Sequence, residues 1–295
     1  MKVLIISGGS SSERNISLIS ARAVRKVLVN SRHKVKVFDL KEGYEDLKVM
    51  IRQFDVIFPV IHGEEGEGGK LHYFLSKTKK PVVGTKNYKA LQRGWPKLSF
   101  KQFCDENNIP TARWKTVRNR KDIILFGFPC VLKASNGGSS REVQILASLK
   151  DLNSYQSGRL INSNKPLYVE RYLDGVEITV GIFQDSALPV IEVVSPKGTW
   201  LSYKTKYSGM TQDIPNAPSL DIKTRRLAQE IALEIHSKLG LGDYSRIDFI
   251  VSNGVPNALE VNTIPGMTPI SAYPKAAQAA GISFPELIKK LVEMA

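Results

Sequence analysis

Residues 1–86 alternate short apolar runs with stretches of helical periodicity, and this alternation constrains the fold more than any other feature of the chain. The runs at residues 2–6, 34–38 and 55–61 predict strands, and the apolar spacing between the first two predicts a helix. Strands that alternate with helices form a parallel sheet with helices on both faces. The expected fold class is therefore α/β, with a parallel sheet at the N-terminus.

Two glycine-rich loops follow strands of this predicted sheet, at the edge where ligands gather in parallel α/β proteins. In the first loop, Glu13 stands where a dinucleotide-binding motif requires its third glycine, which argues against a nicotinamide oxidoreductase. The Glu13 carboxylate, at a helix N-terminus, either binds a ligand ammonium or simply complements the helix dipole. In the second loop, His62 either reaches a ligand or is exposed. Zinc is not expected there, because no second histidine or cysteine is close.

The pattern changes beyond residue 86, where strands and helices no longer alternate regularly. Further strands are predicted at residues 129–133, 167–170, 177–182 and 188–194. Helices are predicted at residues 97–107 and 221–239, the second with Leu227, Ile231 and Ile235 directed inward. We therefore expect three domains, at residues 1–86, 87–168 and 169–295.

A predicted hairpin near the C-terminus carries the most informative polar pattern. Glu260 and Asn262 are two residues apart on one strand and so share a face, while Asp248 lies on the preceding strand. A loop of three or five residues would set Asp248 opposite Glu260 and Arg246 opposite Asn262. A two-residue Asn253-Gly254 turn would instead put Asp248 on the other face. The first register gathers oxygen ligands suited to Mg²⁺ and phosphate. The alternative is an exposed hairpin with a polar face.

Three other features are weaker indications of an anion site. Lys133 precedes a loop of small residues, 137–140, whose N–H groups could approach a phosphate, although a plain loop is the simpler interpretation. Lys97, taken singly, is more simply a surface lysine. Residues 203–213 form a polar stretch without periodicity, which indicates either a lid over phosphates or a surface loop.

Composition bounds the class of protein. The formal net charge is +14, but the basic residues are spread along the chain without a nucleic-acid-binding motif. No apolar run is long enough for a signal-peptide core or a membrane span, and neither Cys104 nor Cys130 has metal-ligand spacing. We therefore expect a cytoplasmic protein with a solvated basic surface, no nucleic-acid or membrane partner, and no disulfide or structural zinc.

Together these segments resemble the D-alanine–D-alanine ligase family of the ATP-grasp superfamily, in motif order and over nearly the whole chain. The most specific motif behind this resemblance is the segment 260–268 with Ser271. The other matching motifs are residues 8–17, 62–68, 133 with 138–140, 170 with 177, 206–207 and 246–248. The resemblance implies a three-domain ATP-grasp architecture with a Rossmann-like N-terminal domain. It also implies the ATP-dependent ligation of two D-alanines through an acyl phosphate, for peptidoglycan synthesis.

The resemblance implies roles toward the amino acids and the reacting group. Glu13 would bind the ammonium of the first D-alanine with His62 nearby, and Ser271 would bind the carboxylate of the second. Arg246 and the N–H of Gly266 would stabilise the oxyanion. Ser139 and Tyr207 would join Glu13 in fixing the loops over the site.

The resemblance also implies the residues that hold ATP and metal. The ATP phosphates would be contacted by Lys97, Lys133 and Lys206, and the adenosine by Glu170 and Glu177. Two Mg²⁺ ions, or Mn²⁺ in their place, would be held by Asp248, Glu260 and Asn262. Because family members are commonly dimers, the resemblance alone adds a homodimer to these expectations.

The sequence departs from the family pattern at three places. Trp95-Pro96 precedes Lys97 where the family has Met-Asp, Arg141-Glu142 follows Ser140 where it has Val-Gly, and residues 214–218 replace its Cys-Pro-Ala. The second substrate is therefore the least constrained part of the interpretation. The alternatives are an ATP-grasp ligase with a different second amino or hydroxy acid, and a nucleotide-binding regulatory protein without catalysis.

Overall fold

The structure is a computed structural model that describes residues 1–137, 142–195 and 211–295, and it is built around three sheets. Strands β1 (Lys2–Ser7), β2 (Lys34–Asp39) and β3 (Val56–Pro59) form a parallel N-terminal sheet in the order β2-β1-β3. Its helices are α1 (Arg14–Asn30), α2 (Tyr44–Ile51) and α3 (Lys70–Ser76), with a 3₁₀ turn at Leu40–Glu42. The predicted parallel sheet is confirmed.

A second, central sheet is antiparallel. Helices α4 (Tyr88–Gly94) and α5 (Lys97–Glu106) precede its strands β4 (Trp114–Val117), β5 (Cys130–Ala134), β6 (Val143–Leu146) and β7 (Leu167–Arg171), which lie in the order β4-β7-β5-β6. Its helices are α6 (Arg120–Phe126), α7 (Leu149–Leu152) and α8 (Tyr155–Ile161). One face packs Leu132 and Val169 into an apolar core. The opposite face, here called the polar face, carries Lys133, Tyr168 and Glu170.

The third, C-terminal sheet is also antiparallel. Its strands are β8 (Val176–Phe183), β9 (Ser186–Ala187), β10 (Ile191–Val194), β11 (Gln212–Pro215), β12 (Tyr244–Ser252) and β13 (Val255–Asn262). They lie in the order β11-β10-β8-β12-β13, with β9 paired to β8. The accompanying helices are α9 (Ile222–Leu239), α10 (Ala272–Ala279) and α11 (Phe284–Glu293). The proposed domain division stays a prediction, but β7 crosses the boundary drawn at residue 168 and belongs to the central sheet.

The N-terminal sheet is buried on both faces because its middle strand is apolar on both. Val3 and Ile5 pack against helices α1 and α11, whereas Leu4 and Ile6 pack against α2 and α3. The last helix of the chain therefore returns to cover the first sheet. This packing joins the beginning and the end of the sequence and brings the segment after β13 close to helix α1.

The expectation for helix α9 is wrong at one position. Ile231 and Ile235 are buried, but Leu227 is 38% exposed. Residues four apart are offset by about 40° around a helix, so Leu227 lies about 80° from Ile235 and outside the buried face. Ala228 is buried instead. None of the helices in the described part of the chain is both long and apolar enough to cross a membrane.

The hairpin of β12 and β13 has the expected pairing of Asp248 with Glu260, but its turn differs from the expected one. Its turn has two residues, since Ser252 pairs with Val255, and Asn253-Gly254 adopts positive φ angles of 51° and 75°. The requirement for an odd-length loop is therefore wrong. A β-bulge then shifts the register between Asp248 and Phe249, so that Asp248 pairs with Glu260 and Arg246 with Asn262. The bulge restores the shared face that the two-residue turn alone would have removed.

Candidate active site

The carboxylate of Asp248, on the hairpin, accepts four hydrogen bonds from three side chains. Arg246 Nε and Nη2 lie 2.9 Å from Asp248 Oδ1 and Oδ2 respectively. Thr179 of the neighbouring strand β8 donates its hydroxyl to Oδ1 at 2.6 Å, and Asn262 donates its amide to Oδ2 at 3.0 Å. Two-point, charge-assisted bonds fix both position and orientation. Asp248 is therefore held rigidly on its strand.

Lys97 connects this hairpin to the chain that follows the central strand β5. Its Nζ lies 2.8 Å from Glu260 Oε2 and donates to the Gly137 carbonyl at 2.8 Å. Burial lowers the pKa of Lys97, but Glu260 and nearby carboxylates outweigh burial, so the pKa is raised and the amine stays charged. The unusual Trp95-Pro96 is compatible with this position, because Pro96 is the N-cap of α5 and Lys97 its first residue.

The oxygen atoms of the hairpin suit a hard divalent cation. Asp248 faces Glu260 in the register, and Asn262 lies two residues beyond Glu260 on the same face. Two carboxylates and an amide fit Mg²⁺ when phosphate oxygens and water complete its coordination. In the described ranges, no three His, Cys, Asp or Glu side chains gather as a metal site of their own. The register thus brings Asp248, Glu260 and Asn262 to one place, and their role as metal ligands stays a prediction.

Glu170 lies between two lysines on the polar face of the central sheet. Its side chain pairs with Lys133 and with Lys101, whose Nζ is 2.6 Å from Glu170 Oε2. Burial raises the pKa of Glu170, but the two lysines overcome that effect and lower the pKa to about 2. Lys101 also donates to Thr111 Oγ1 at 2.6 Å and is itself 0% exposed. Buried charges need such partners, so the three groups form one unit.

The two glycine-rich loops of the N-terminal sheet approach each other at His62. Ser11 donates its hydroxyl to the His62 carbonyl at 2.9 Å, and the His62 N–H donates to Ser17 Oγ at 2.9 Å. The His62 side chain is buried, which excludes the exposed alternative, and its Nε2 has no hydrogen-bond partner among the described residues. Burial lowers the pKa of His62 although Glu13 opposes this effect, so the imidazole is neutral at neutral pH.

Glu13 occupies the predicted helix N-terminus without acting as a side-chain cap. It is the N-cap residue of α1, yet its carboxylate makes no capping bond there. That carboxylate instead lies close enough to influence the pKa values of both His62 and Glu67. A role in complementing the helix dipole therefore does not account fully for Glu13, because its carboxylate also acts on His62 and Glu67 in the second loop.

Glu67 is a site residue that the sequence did not single out. Its side chain is buried, and Oε2 accepts a hydrogen bond from the Gly63 N–H at 2.9 Å. Burial, followed by the charge of Glu13, raises the pKa of Glu67 to about 8. Lys101 was also missed. The available signals were the glycines around Glu67, which allow a tight loop, and the spacing of Lys101 one helical turn after Lys97.

Comparison with known proteins identifies the family. Residues 92–293 match the family model described as the D-ala D-ala ligase C-terminus. The chain belongs to the D-alanine–D-alanine ligase family. It is 33% identical over 302 residues to the D-alanine–D-alanine ligase of Maridesulfovibrio salexigens, covering 100% of this chain and 98% of that protein. It is 35% identical over 297 residues to that of Aquifex aeolicus, covering 99% and 100%.

Solved structures give the same result for the ligase fold. The crystal structure of the D-alanine–D-alanine ligase from Bacillus anthracis complexed with ATP superposes with a TM-score of 0.86 at 26% identity. The match covers 100% of this chain and 97% of the Bacillus anthracis chain. The α/β ATP-grasp fold predicted for this member of the ligase family is therefore confirmed.

The segment after β13, the most specific part of the ligase resemblance, closes toward helix α1. The Met267 N–H donates to Ser20 Oγ of α1 at 3.3 Å. Ser271 is the N-cap of α10, and its hydroxyl lies 2.8 Å from that of Thr268 instead of capping the helix. A Cβ added at Gly266 would come within 3.0 Å of Ser271 Oγ, so glycine permits this close turn. Gly266 and Ser271 are thus neighbours, and the roles that the resemblance implies for them stay predictions.

The remaining predicted ligase residues divide into two groups. Glu177 lies on β8 two residues before Thr179, and therefore on the same face as the Asp248 network. Ser139, Lys206, Tyr207 and the departure at Arg141 lie outside the described residues, as does most of the predicted lid at 203–213. The end of that stretch enters strand β11, which pairs antiparallel with β10.

Proposed function

We propose that this protein joins two D-alanines to form D-alanyl-D-alanine, with ATP and Mg²⁺, for peptidoglycan synthesis. Membership of the ligase family and the names of its full-length relatives support this proposal. The observation that carries it is the register that sets Asp248 opposite Glu260 with Arg246 bound to Asp248. The cytoplasmic location and the homodimer both stay predictions.

In the first step, a carboxylate oxygen of one D-alanine attacks the γ-phosphorus of ATP and the bond to ADP breaks. Such transfers depend on positioning and on neutralising phosphate charge. Lys97 and Lys133 are two cations close to the place where the phosphates would lie, and Lys206 is proposed as a third. Mg²⁺, when bound by Asp248, Glu260 and Asn262, would supply further charge neutralisation at the phosphates.

In the second step, the amine of the other D-alanine attacks the acyl carbon of the acyl phosphate. Negative charge develops on the carbonyl oxygen, and Arg246 with the Gly266 N–H would stabilise it. The C–O bond to phosphate then breaks, and inorganic phosphate leaves with the oxygen that came from the first carboxylate. The amine must lose its protons, and the neutral His62 imidazole, whose Nε2 has no partner among the described residues, would accept one of them.

The substrates are proposed to be held at the two ends of this site. Glu13 binds the ammonium of the first D-alanine, and Ser271 binds the carboxylate of the second. Glu170 and Glu177 lie at the adenosine. Ser139 and Tyr207 fix the loops together with Glu13.

The test is phosphate release from ATP and Mg²⁺ with D-alanine, L-alanine, D-lactate or no addition, followed by product analysis. We expect release that depends on D-alanine, with D-alanyl-D-alanine as the product. Release only with another amino or hydroxy acid would contradict the assigned substrate and favour a different ligase. Binding of ATP without release in any mixture would contradict catalysis and favour the regulatory alternative.

A further inference from the structure

Tyr168 is buried on the polar face of the central sheet with a hydroxyl that lacks a partner. The residue is 0% exposed, and its hydroxyl oxygen has no hydrogen-bond partner among the described residues. Buried polar groups in native proteins are almost always hydrogen-bonded. Phenylalanine would fill the same space without leaving a polar atom unpaired. Packing alone therefore does not explain why this position has a tyrosine.

The register of the central sheet places Tyr168 among charged residues. Lys133 of β5 lies directly across from Tyr168 of β7, and Glu170 lies two residues further along the same face of β7. Lys133 and Glu170 pair with each other. Tyr168 therefore belongs to the same surface as two residues of the proposed nucleotide site, and not to the apolar core on the opposite face.

Tyr168 is also within electrostatic range of the hairpin. Burial raises the pKa of the Tyr168 hydroxyl well above its ordinary value, and Glu170 and then Glu260 raise it further. Glu170 belongs to the central sheet, whereas Glu260 belongs to the C-terminal hairpin with the proposed metal ligands. The charges of both the central sheet and the hairpin therefore act on this hydroxyl. It remains protonated, which makes it a hydrogen-bond donor to an anion.

The position along the strand favours the phosphate end over the adenine end. Tyr168 pairs with Lys133 and the preceding Leu167 pairs with Ala134, the last residue before the chain turns toward Gly137. Gly137 accepts a hydrogen bond from Lys97, which also pairs with Glu260. Tyr168 therefore lies nearer than Glu170 to the end of β5 that leads to Gly137, where Lys97 and Lys133 are proposed to contact phosphates.

We propose that Tyr168 donates its hydroxyl hydrogen to a phosphate oxygen of the bound nucleotide. The inference deepens the proposed function and rests on it, because the nucleotide site is part of that function. Lys97 and Lys133 are paired with Glu260 and Glu170 in the structure, and phosphate oxygens would compete with those carboxylates for the two amines. An anion bound there supplies the acceptor that the buried hydroxyl lacks.

The test is the affinity of Tyr168→Phe for ATP with Mg²⁺, for ADP and for adenosine, measured by calorimetry against the unchanged protein. Loss of a hydrogen bond to a charged acceptor is expected to weaken ATP and ADP on the order of tenfold and to leave adenosine unchanged. Tyr168→Phe is also expected to unfold at the same temperature or a higher one without nucleotide, since it removes an unpaired polar atom.

Tyr273→Phe is the matched control. Tyr273 is equally buried, but its hydroxyl donates to the Ile182 carbonyl at 3.0 Å. This variant is expected to unfold at a lower temperature and to bind all three ligands normally. The two tyrosines therefore separate the loss of a structural hydrogen bond from the loss of a ligand contact.

Three results would overturn the inference. They are unchanged ATP affinity in Tyr168→Phe, equal weakening of adenosine, and a loss of stability without nucleotide like that of Tyr273→Phe. Failure of the proposed function has a different signature, because the unchanged protein would then fail to bind ATP or to form the dipeptide.

Discussion

On the strand side of the site, which comprises Asp248, Glu260 and Glu170, each carboxylate is paired with a lysine or an arginine of the protein. On the loop side, which comprises Glu13, His62 and Glu67, burial leaves His62 neutral and raises the pKa of Glu67 to about 8. Both sides are largely shielded from water. They differ in the balance between burial and opposite charge: two lysines outweigh burial at Glu170, whereas burial outweighs the charge of Lys97 at Glu67.

The difference follows from the local structure on each side. On the strand side, helix α5 directs Lys97 and Lys101 at carboxylates on two different sheets. Lys133 reaches Glu170 from the adjacent strand, and Arg246 binds Asp248 on the same strand. The loop side is built from glycine-rich turns that pack backbone groups and buried side chains close together. There the charge of Lys97 lowers the pKa of Glu67 by less than burial raises it. In the proposed function, phosphate and Mg²⁺ would replace the ion pairs of the strand side, and the loop side would bind the ammonium of the first D-alanine.

The largest expected effect is on the strand side, in Glu260→Gln. Removing this charge weakens the proposed metal set and releases Lys97, so turnover should fall by about 10³-fold or more while the fold is retained. Phosphate release and circular dichroism measure the two quantities. Glu234→Gln is the control, because Glu234 forms only an exposed ion pair with Lys238. Near-normal turnover in Glu260→Gln would remove Glu260 from the catalytic machinery.

A second expected effect concerns the stability of the strand side. Lys101→Met removes one of the two partners of the buried Glu170 and should lower the free energy of unfolding by about 3–5 kcal/mol. Lys238→Met, which breaks the exposed pair with Glu234, should change it by about 0.5 kcal/mol or less. Urea unfolding of both variants makes the comparison. Equal losses would mean that Glu170 does not depend on its second lysine.

The smallest expected effect concerns the loop side and its dependence on pH. The pKa of Glu67, about 8 in the folded protein, exceeds its ordinary value of 4.5, so the folded state holds a proton that the unfolded state has lost. Between about pH 7.5 and 8.5, the contribution of Glu67 to stability should therefore fall as pH rises, by up to about 1.4 kcal/mol per pH unit. This window lies above the titration of unfolded histidines, whose ordinary pKa is 6.5, and burial lowers the pKa values of His62, His72 and His236 in the folded protein, so these imidazoles are largely neutral in both states.

Urea unfolding across this pH window, for the unchanged protein and for Glu67→Gln, measures that contribution. Glu67→Gln should show a flatter dependence, because the amide does not titrate. The same slope in both proteins would show that Glu67 is ionised like an ordinary carboxylate, and the distinction between the two sides would then be lost at this position.

Sequence patterns predicted the parts of the molecule that follow regular geometry. The parallel N-terminal sheet follows from apolar periodicity, and the shared face of Glu260 and Asn262 follows from strand alternation. The final pairing of Asp248 with Glu260 depends on a bulge at the strand that no local pattern marked. The predicted odd-length loop was therefore wrong although the pairing itself was right.

Burial was the quantity that the sequence could not supply. Glu67 and Lys101 are ordinary charged residues by composition, and only the packing of loops or helices from distant segments removes them from water. Leu227 is the opposite case, since its spacing fits an inward face but the helix turns it toward solvent. Ser139, Lys206 and Tyr207 remain predictions, because they lie outside the described residues.

The most direct test of the proposed reaction follows an oxygen atom. D-Alanine labelled with ¹⁸O in its carboxylate is incubated with ATP, Mg²⁺ and the protein, and the released phosphate is analysed by mass spectrometry. Attack of the carboxylate on the γ-phosphorus, followed by displacement of phosphate by the amine, predicts one labelled oxygen in each phosphate formed with D-alanyl-D-alanine. Dipeptide formation accompanied by unlabelled phosphate would contradict the acyl-phosphate route.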